Sequence, residues 1–246
     1  LDHVGPMTRT VRDAALLLRV IAGHDPTDAT SSRRPVPDYV ASLEVGVVGL
    51  RVGVPENHFL DGLDPEMEAA VRRAAADIAG LGAAVQPRLL PDLRVLTDVT
   101  SIISNCEGAA AHARLLKERP HEVGAAVRAR MEAGFHIGAY DYIQAQRLRS
   151  RLAREFVEEV FSTIDVLLCP VIPEPAPTLS AVKAGSVEDV VARMGRFARL
   201  TRPFNGLGLP ALAVPCGLSA DGRPLAFQIV GRPFDEATVL RVGAAY

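Results

Sequence analysis

The stretch Ile164-Asp165-Val166-Leu167-Leu168-Cys169-Pro170 decides the fold class. Its unbroken apolar run, closed by a proline, is typical of a parallel strand that helices cover on both faces. Asp165 stands where the strand begins, and its carboxylate is predicted to be a structural hydrogen-bond anchor. The run therefore predicts a buried central strand of an α/β protein.

A strand–helix–strand unit precedes this strand in the chain. Residues 50–54 predict a short strand that ends at Pro55. Asp64-Pro65-Glu66 then combines an N-cap, a proline in the first turn and a carboxylate near the helix N-terminus, which together predict a helix start. A second strand over 83–89 is expected to return parallel to the first through a right-handed crossover.

The remaining elements complete a mixed sheet covered by helices on both faces. Apolar spacing predicts a helix over 10–22, a helical middle over 97–161 that is clearest from 139, and helices over 187–200 and from Asp235. Strands over 210–215 and 225–230 flank a polar turn and are expected to pair antiparallel. We expect one α/β domain, with residues 24–46 as an exposed connection.

Composition excludes several classes of protein. The 246 residues are 48% apolar and 23% charged, with a net charge of −2, which argues against a nucleic-acid-coating protein and a polybasic membrane surface. No apolar run approaches the ~18–20 residues of a membrane helix. Cys106, Cys169 and Cys216 stand far apart, a usage that fits a reducing compartment and predicts a cytoplasmic protein.

Local motifs alone do not declare an activity. The sequence contains no GxSxG nucleophile elbow, phosphate-binding loop, GxGxxG or HExxH motif, and no metal or cofactor is predicted. Asn205 precedes a strand and is either a turn former or an amide that reads a ligand, and on chemistry alone the turn is favoured. Cys216 follows a strand end, where sites of open α/β sheets gather.

Six stretches, in the same order along the chain, resemble the amidase signature family of serine amidohydrolases. These stretches are residues 1–13, 22–28, 142–147, 165–170, 203–217 and 228–236. The resemblance implies hydrolysis of a carboxylic amide by a Ser–cis-Ser–Lys triad, with a glycine-rich loop for the oxyanion and an acyl-enzyme intermediate.

The triad itself has no counterpart in this sequence. In the family, the triad precedes the segment that corresponds to residue 1 of this sequence. No Gly-Gly-Ser-Ser-Gly-like run occurs here. The one Ser-Ser pair is Ser31-Ser32, which lacks glycines, and Lys117 and Lys183 lie elsewhere than the family lysine. We therefore assign no catalytic residue, and expect residues 1–246 to be the C-terminal portion of a single amidase-like domain, inactive alone.

The resemblance implies that this portion shapes the substrate pocket. The residues predicted to contribute are Thr201, Asn205, Cys216, Tyr142 and Gln146, together with the proline-rich loop after Cys169. For each of them, plain packing is the alternative. The implied partners are a small-molecule amide and the missing N-terminal half of the fold, without nucleic acid or membrane; a homo-oligomer is left open.

Two other functions compete with an amidase. The A subunit of a tRNA-dependent amidotransferase shares the fold, but its Asp-Gly-x-Arg-Tyr-Gly stretch is not seen here. A non-catalytic binding or assembly domain is the alternative from another class. Against it, half of an α/β sheet is expected to expose an apolar seam where the other half packs.

Overall fold

A computed structural model describes residues 1 and 3–246, so Asp2 of the opening stretch lies outside the described residues. The strands are β1 (Arg51–Pro55), β2 (Ala84–Arg88), β3 (Val166–Pro170), β4 (Ala211–Leu218) and β5 (Pro224–Gly231). They form a five-stranded sheet in the order β2-β1-β3-β5-β4. β1 is parallel to β2 and β3, whereas β5 is antiparallel to β3 and β4. The predicted mixed sheet is confirmed.

Helices surround this sheet. They are α1 (Val11–Ile21), α2 (Pro65–Gly80), α3 (Arg94–Ala111), α4 (Ala113–Glu118), α5 (Ala125–Glu132), α6 (Ala139–Val160), α7 (Leu179–Lys183), α8 (Val187–Phe197), α9 (Arg202–Leu207) and α10 (Glu236–Ala245). The helix predicted over 187–200 is α-helical as far as Phe197, and a 3₁₀ helix follows over Ala198–Leu200. Among the described residues, no helix has the length and apolar character needed to span a bilayer.

The sheet has an apolar core on each face. On one face, α2 and α10 cover the sheet with side chains such as Met67, Ile78 and Val242. On the other face, side chains of α3, α6 and α9, including Phe156 and Phe204, form the second core. Because both faces are covered, every residue of β3 is buried, as its apolar sequence predicts.

Asp165 anchors the start of β3 to its neighbours. Its carboxylate accepts hydrogen bonds from the backbone nitrogen of Arg51 (2.9 Å) and from Nε and NH2 of the same residue (3.2 and 2.7 Å). Arg232, just after β5, has its Nη1 atom 3.5 Å from Oδ1 of Asp165. These Arg51 hydrogen bonds lower the pKa of Asp165 to about 2. The predicted structural role of this carboxylate is confirmed.

The connection between α1 and β1 is anchored at its second half. Most residues from 24 to 38 are exposed, but Tyr39 and Leu43, inside the stretch expected to be an exposed connection, are buried. They pack with Ala14 and Ala15 of α1 and with Leu240 of α10. This small core attaches α1 to the α10 face of the sheet.

Candidate functional site

Helix α9 presents Asn205 to the surface. Its side chains Pro203, Phe204 and Leu207 are buried and Arg202 is half-buried, whereas Asn205 is exposed. Gly208 ends the helix in the left-handed conformation (φ 69°), which a residue without a Cβ adopts readily. Within the described residues, no group hydrogen-bonds the side-chain amide of Asn205, so its donors and acceptor are available to a ligand.

Close packing fixes the position of α9. Gly206 lies against α3, and a Cβ at this residue would collide with the hydroxyl of Thr100. The Nε of Arg149 on α6 donates to the carbonyl of Gly206. At the start of α9, the buried Gln228 donates through Nε2 to the carbonyls of Pro170 and Leu200, both at 2.9 Å. The sheet and two helices therefore hold the helix that carries Asn205.

Asn205 borders an open cavity of about 390 Å³. The cavity lies between the N-terminal segment, α1, the turn after α9 and the start of α10, and residues lining it include Gly5, Pro6, Leu18, Gly208 and Leu240. Thr201 is one helical turn before Asn205 and accepts the Asn205 N–H at its carbonyl (3.4 Å). Thr201 is therefore adjacent to Asn205 along α9, but it does not line the cavity, and its hydroxyl donates to the carbonyl of Ala198 (3.4 Å).

Tyr142 and Gln146 form a second group on α6. They are four residues apart, a spacing that places side chains on one face of a helix. The Nε2 of Gln146 donates to the hydroxyl of Tyr142 at 2.9 Å. Both also donate to Oε1 of Glu107 on α3, from Tyr142 at 3.4 Å and from Gln146 at 3.3 Å. Sequence reasoning missed Glu107, which no local motif marks.

Two connections join the groups. Arg149, which holds Gly206, follows Gln146 on α6 by less than one turn. The N-terminal segment lies beside both groups as well, because Leu1 and Tyr142 pack against the same small core while Gly5 and Pro6 line the cavity at Asn205. We call the residues Tyr142, Gln146, Thr201 and Asn205 together the candidate site. The unengaged amide of Asn205 can pair with a ligand that is itself a donor and an acceptor, as an amide is.

Cys216 is not part of this surface. It lies on β4 and packs against the core beneath α2 and α10, on the opposite face of the sheet from α9. Burial raises the pKa of its thiol to about 11, the positive charge of Arg73 opposing that shift. A thiol in this environment is protonated at neutral pH and is a weak nucleophile.

The proline-rich loop after Cys169 also lies away from Asn205. Its Pro173 carbonyl accepts the N–H of Asp64 at the start of α2 (2.8 Å), and the carbonyl of Ala176 accepts from Arg223 (3.1 Å). The loop therefore packs between α2 and the β4–β5 turn. Pro170, the last residue of β3, is connected through Gln228 to Leu200, just before α9.

Comparisons with known proteins give the family of this chain. The model of the amidase family matches residues 1–240. An amidase of Pseudomonas putida is 44% identical over 100% of this chain. The A subunit of the Myxococcus xanthus glutamyl-tRNA(Gln) amidotransferase is 42% identical, also over 100% of this chain. A bacterial aryl acylamidase of the amidase signature family superposes with a TM-score of 0.79 and 26% identity over 98% of this chain.

This chain spans about half the length of these relatives: 53% of the P. putida amidase, 54% of the M. xanthus protein and 51% of the aryl acylamidase. The matched region includes all six of the stretches from which the resemblance was predicted. The chain belongs to the amidase signature family.

Proposed function

We propose that this chain is the pocket-forming portion of an amidase that hydrolyses a small carboxylic amide through a serine acyl-enzyme. The observation that carries the proposal is the match to the amidase family over residues 1–240. The serine nucleophile, the bridging serine and the lysine are contributed by the half of the fold that this chain does not span. The chain alone is therefore expected to be inactive.

In this proposal, the candidate site forms one wall of the substrate pocket. Asn205 offers an unengaged amide beside a cavity, and α9 is held rigidly, as a positioning element must be. Tyr142 and Gln146 extend the same wall along α6. Cys216 is left out of the wall, because it packs on the other face of the sheet.

The A subunit of a tRNA-dependent amidotransferase is the second candidate, and the 42% identity to such a protein favours it. The two candidates differ in what they need for turnover. An amidase hydrolyses simple amides as a single polypeptide, whereas the proposed alternative would release ammonia from glutamine only together with its partner subunits.

The test uses the product of the full reading frame that contains this chain, called here the complete protein. Ammonia release is measured with short aliphatic amides, aryl amides that carry a primary amide group, and glutamine. Each substrate is tested first without any added protein and then with partner subunits added. Turnover of aliphatic or aryl amides supports the amidase. Turnover of glutamine alone, and only with partner subunits added, supports the amidotransferase. No release under either condition contradicts both and favours a binding or assembly domain.

A further inference from the structure

We infer that Glu107 is a positioning residue, which orients Tyr142 and Gln146 for the substrate. The inference rests on the proposed function, because it assigns Tyr142 and Gln146 to the pocket wall. It adds a residue on a different helix, α3, that neither the family motifs nor the sequence pattern assigned to the site. Three hydrogen bonds between these side chains carry it.

An ionised carboxylate only accepts hydrogen bonds, so it dictates the orientation of the groups around it. The atom of Gln146 that faces Glu107 at 3.3 Å must therefore be the NH₂ group. The carbonyl oxygen of the same amide is then turned away from Glu107. No described residue donates to that oxygen, and it is available to accept an N–H from a ligand.

The hydroxyl of Tyr142 is fixed in the same way. It donates its proton to Glu107 (3.4 Å) and accepts from Gln146 (2.9 Å). The remaining hydrogen-bonding capacity of both side chains is therefore that of an acceptor, and neither side chain has a free donor. Such a surface favours the N–H groups of an amide over a carboxylate, because two acceptors facing each other repel.

Glu107 has no arginine or lysine partner among the described residues. Its side chain is 37% exposed. Side-chain packing of α3 against α6 is provided elsewhere, by Val99, Ile103 and Ala145. Removal of the carboxylate charge is therefore expected to change the orientation of Tyr142 and Gln146 and to leave the helix pair folded.

The experiment compares Glu107→Gln with Asp98→Asn in the complete protein. Asp98 is an exposed carboxylate on the same helix, and no described residue pairs with it, so the control removes an equal charge without the contacts. For Glu107→Gln we expect KM for the amide substrate to rise roughly tenfold, with kcat within about twofold. Asp98→Asn is expected to leave both unchanged.

A double-mutant cycle separates positioning from a general structural effect. If Glu107 acts partly through Gln146, then Glu107→Gln raises KM less in a Gln146→Leu background than in the wild-type background. Equal effects of Glu107→Gln in the two backgrounds would overturn the inference. Glu107→Asp serves as a second variant, because it keeps the charge but shortens the side chain by one methylene group. Its effect on KM should resemble that of Glu107→Gln.

A spectroscopic measurement tests the inference without activity. Fluorotyrosine is incorporated, and the ¹⁹F signal of Tyr142 is assigned by its loss in Tyr142→Phe. Glu107→Gln should shift this signal, whereas Asp98→Asn should not; an unshifted signal contradicts the inference. If Tyr142→Phe and Gln146→Leu leave turnover unchanged, the proposed pocket wall fails, while the ¹⁹F result still decides whether Glu107 orients Tyr142.

Discussion

Two asparagines in this molecule differ in the hydrogen-bond partners of their side-chain amides. The amide of Asn57 donates to the carbonyl of Leu90 and accepts from the N–H of Leu90, both at 2.9 Å. Asn57 is thereby committed to holding a loop. The amide of Asn205 has no hydrogen-bond partner in the described part of the chain and borders a cavity. Asn57 therefore has a structural role, whereas the side-chain amide of Asn205 is unengaged.

Replacement of Asn205 by alanine in the complete protein should lower kcat/KM for the amide by about tenfold to a hundredfold, the usual cost of a lost polar contact to substrate. Its Tm should be unchanged, because the side chain is exposed and unpaired. Asn57→Ala should show the reverse, a lower Tm with normal kcat/KM. Full activity of Asn205→Ala would remove Asn205 from the pocket.

Glu107 shows why part of the site is hidden from sequence reasoning. Tyr142 and Gln146 are four residues apart, so a helix places them together wherever it packs. Their carboxylate partner is 35 residues away from Tyr142 and is reached only once α3 lies against α6. A single glutamate in a helix carries no local signal of such a contact.

At the scale of elements, α9 depends on a close approach to α3. Gly206 faces Thr100 with no room for a Cβ. Gly195, on α8, has no atom within 4 Å of the place where a Cβ would stand. These two helical glycines therefore differ in what a methyl group would do.

Gly206→Ala should destabilise the complete protein by about 1–3 kcal/mol through overpacking and should also lower kcat/KM, since α9 must shift. Removal of the obstacle in Gly206→Ala/Thr100→Ala should restore much of the activity. Gly195→Ala should be neutral or slightly stabilising, as alanine favours helix over glycine. Urea unfolding and amide kinetics measure both effects; a fully stable, active Gly206→Ala variant would contradict this packing.

The pair of Asp165 and Arg51 links β1 to β3 and makes stability depend on pH. The pKa of Asp165 is lowered to about 2 in the folded state by the Arg51 hydrogen bonds, against about 3.9 when unfolded. A lowered folded pKa means that the stabilisation is complete above the unfolded value and is lost as pH falls through the folded value.

Asp165→Asn should therefore reduce the free energy of unfolding by about 2 kcal/mol at pH 7. The gap between the two proteins should narrow between pH ~4 and ~2, since the wild-type carboxylate becomes protonated there. Urea titrations across pH 2–7 measure the gap. A gap that stays constant down to pH 2 would mean that the ionised carboxylate is not the stabilising form.

Local patterns predicted most elements but not the faces of the sheet. The cap at Asp64 and Pro65 and the buried run of β3 are encoded within a few residues. The face of the sheet on which Cys216 lies is not encoded locally in this way. Side chains along a strand alternate between faces, and a bulge between Pro215 and Gly217 alters the register. The predicted strand end before Cys216 was also wrong, because β4 continues to Leu218 and Cys216 lies within it, opposite α9.

At the scale of the whole molecule, exposed apolar side chains of α1 lie near an edge of the sheet. The outer side of α1 exposes Leu16 (47%), Leu17 (47%), Val20 (80%) and Ile21 (52%). β4 is an edge strand of the sheet in the described part of the chain. Both α1 and the start of β4 line the cavity at Asn205. We expect this surface to pack against the half of the relatives that the chain does not span.

The chain alone should therefore self-associate or bind a hydrophobic dye strongly. Val20→Lys should reduce dye fluorescence and association, measured by light scattering on a sizing column. Leu179→Lys, at an exposed leucine on α7, is the control and should change neither. A dye-free monomer with a cooperative thermal transition would contradict an unpartnered seam.

The most direct test of the central claim is the intact mass of the protein after treatment with a serine-directed acylating reagent. We predict that the complete protein gains one acyl group, on a serine outside residues 1–246, and that the isolated chain gains none. A stoichiometric label on a serine within residues 1–246 would contradict the account, because the nucleophile would then lie in the portion assigned only to the pocket.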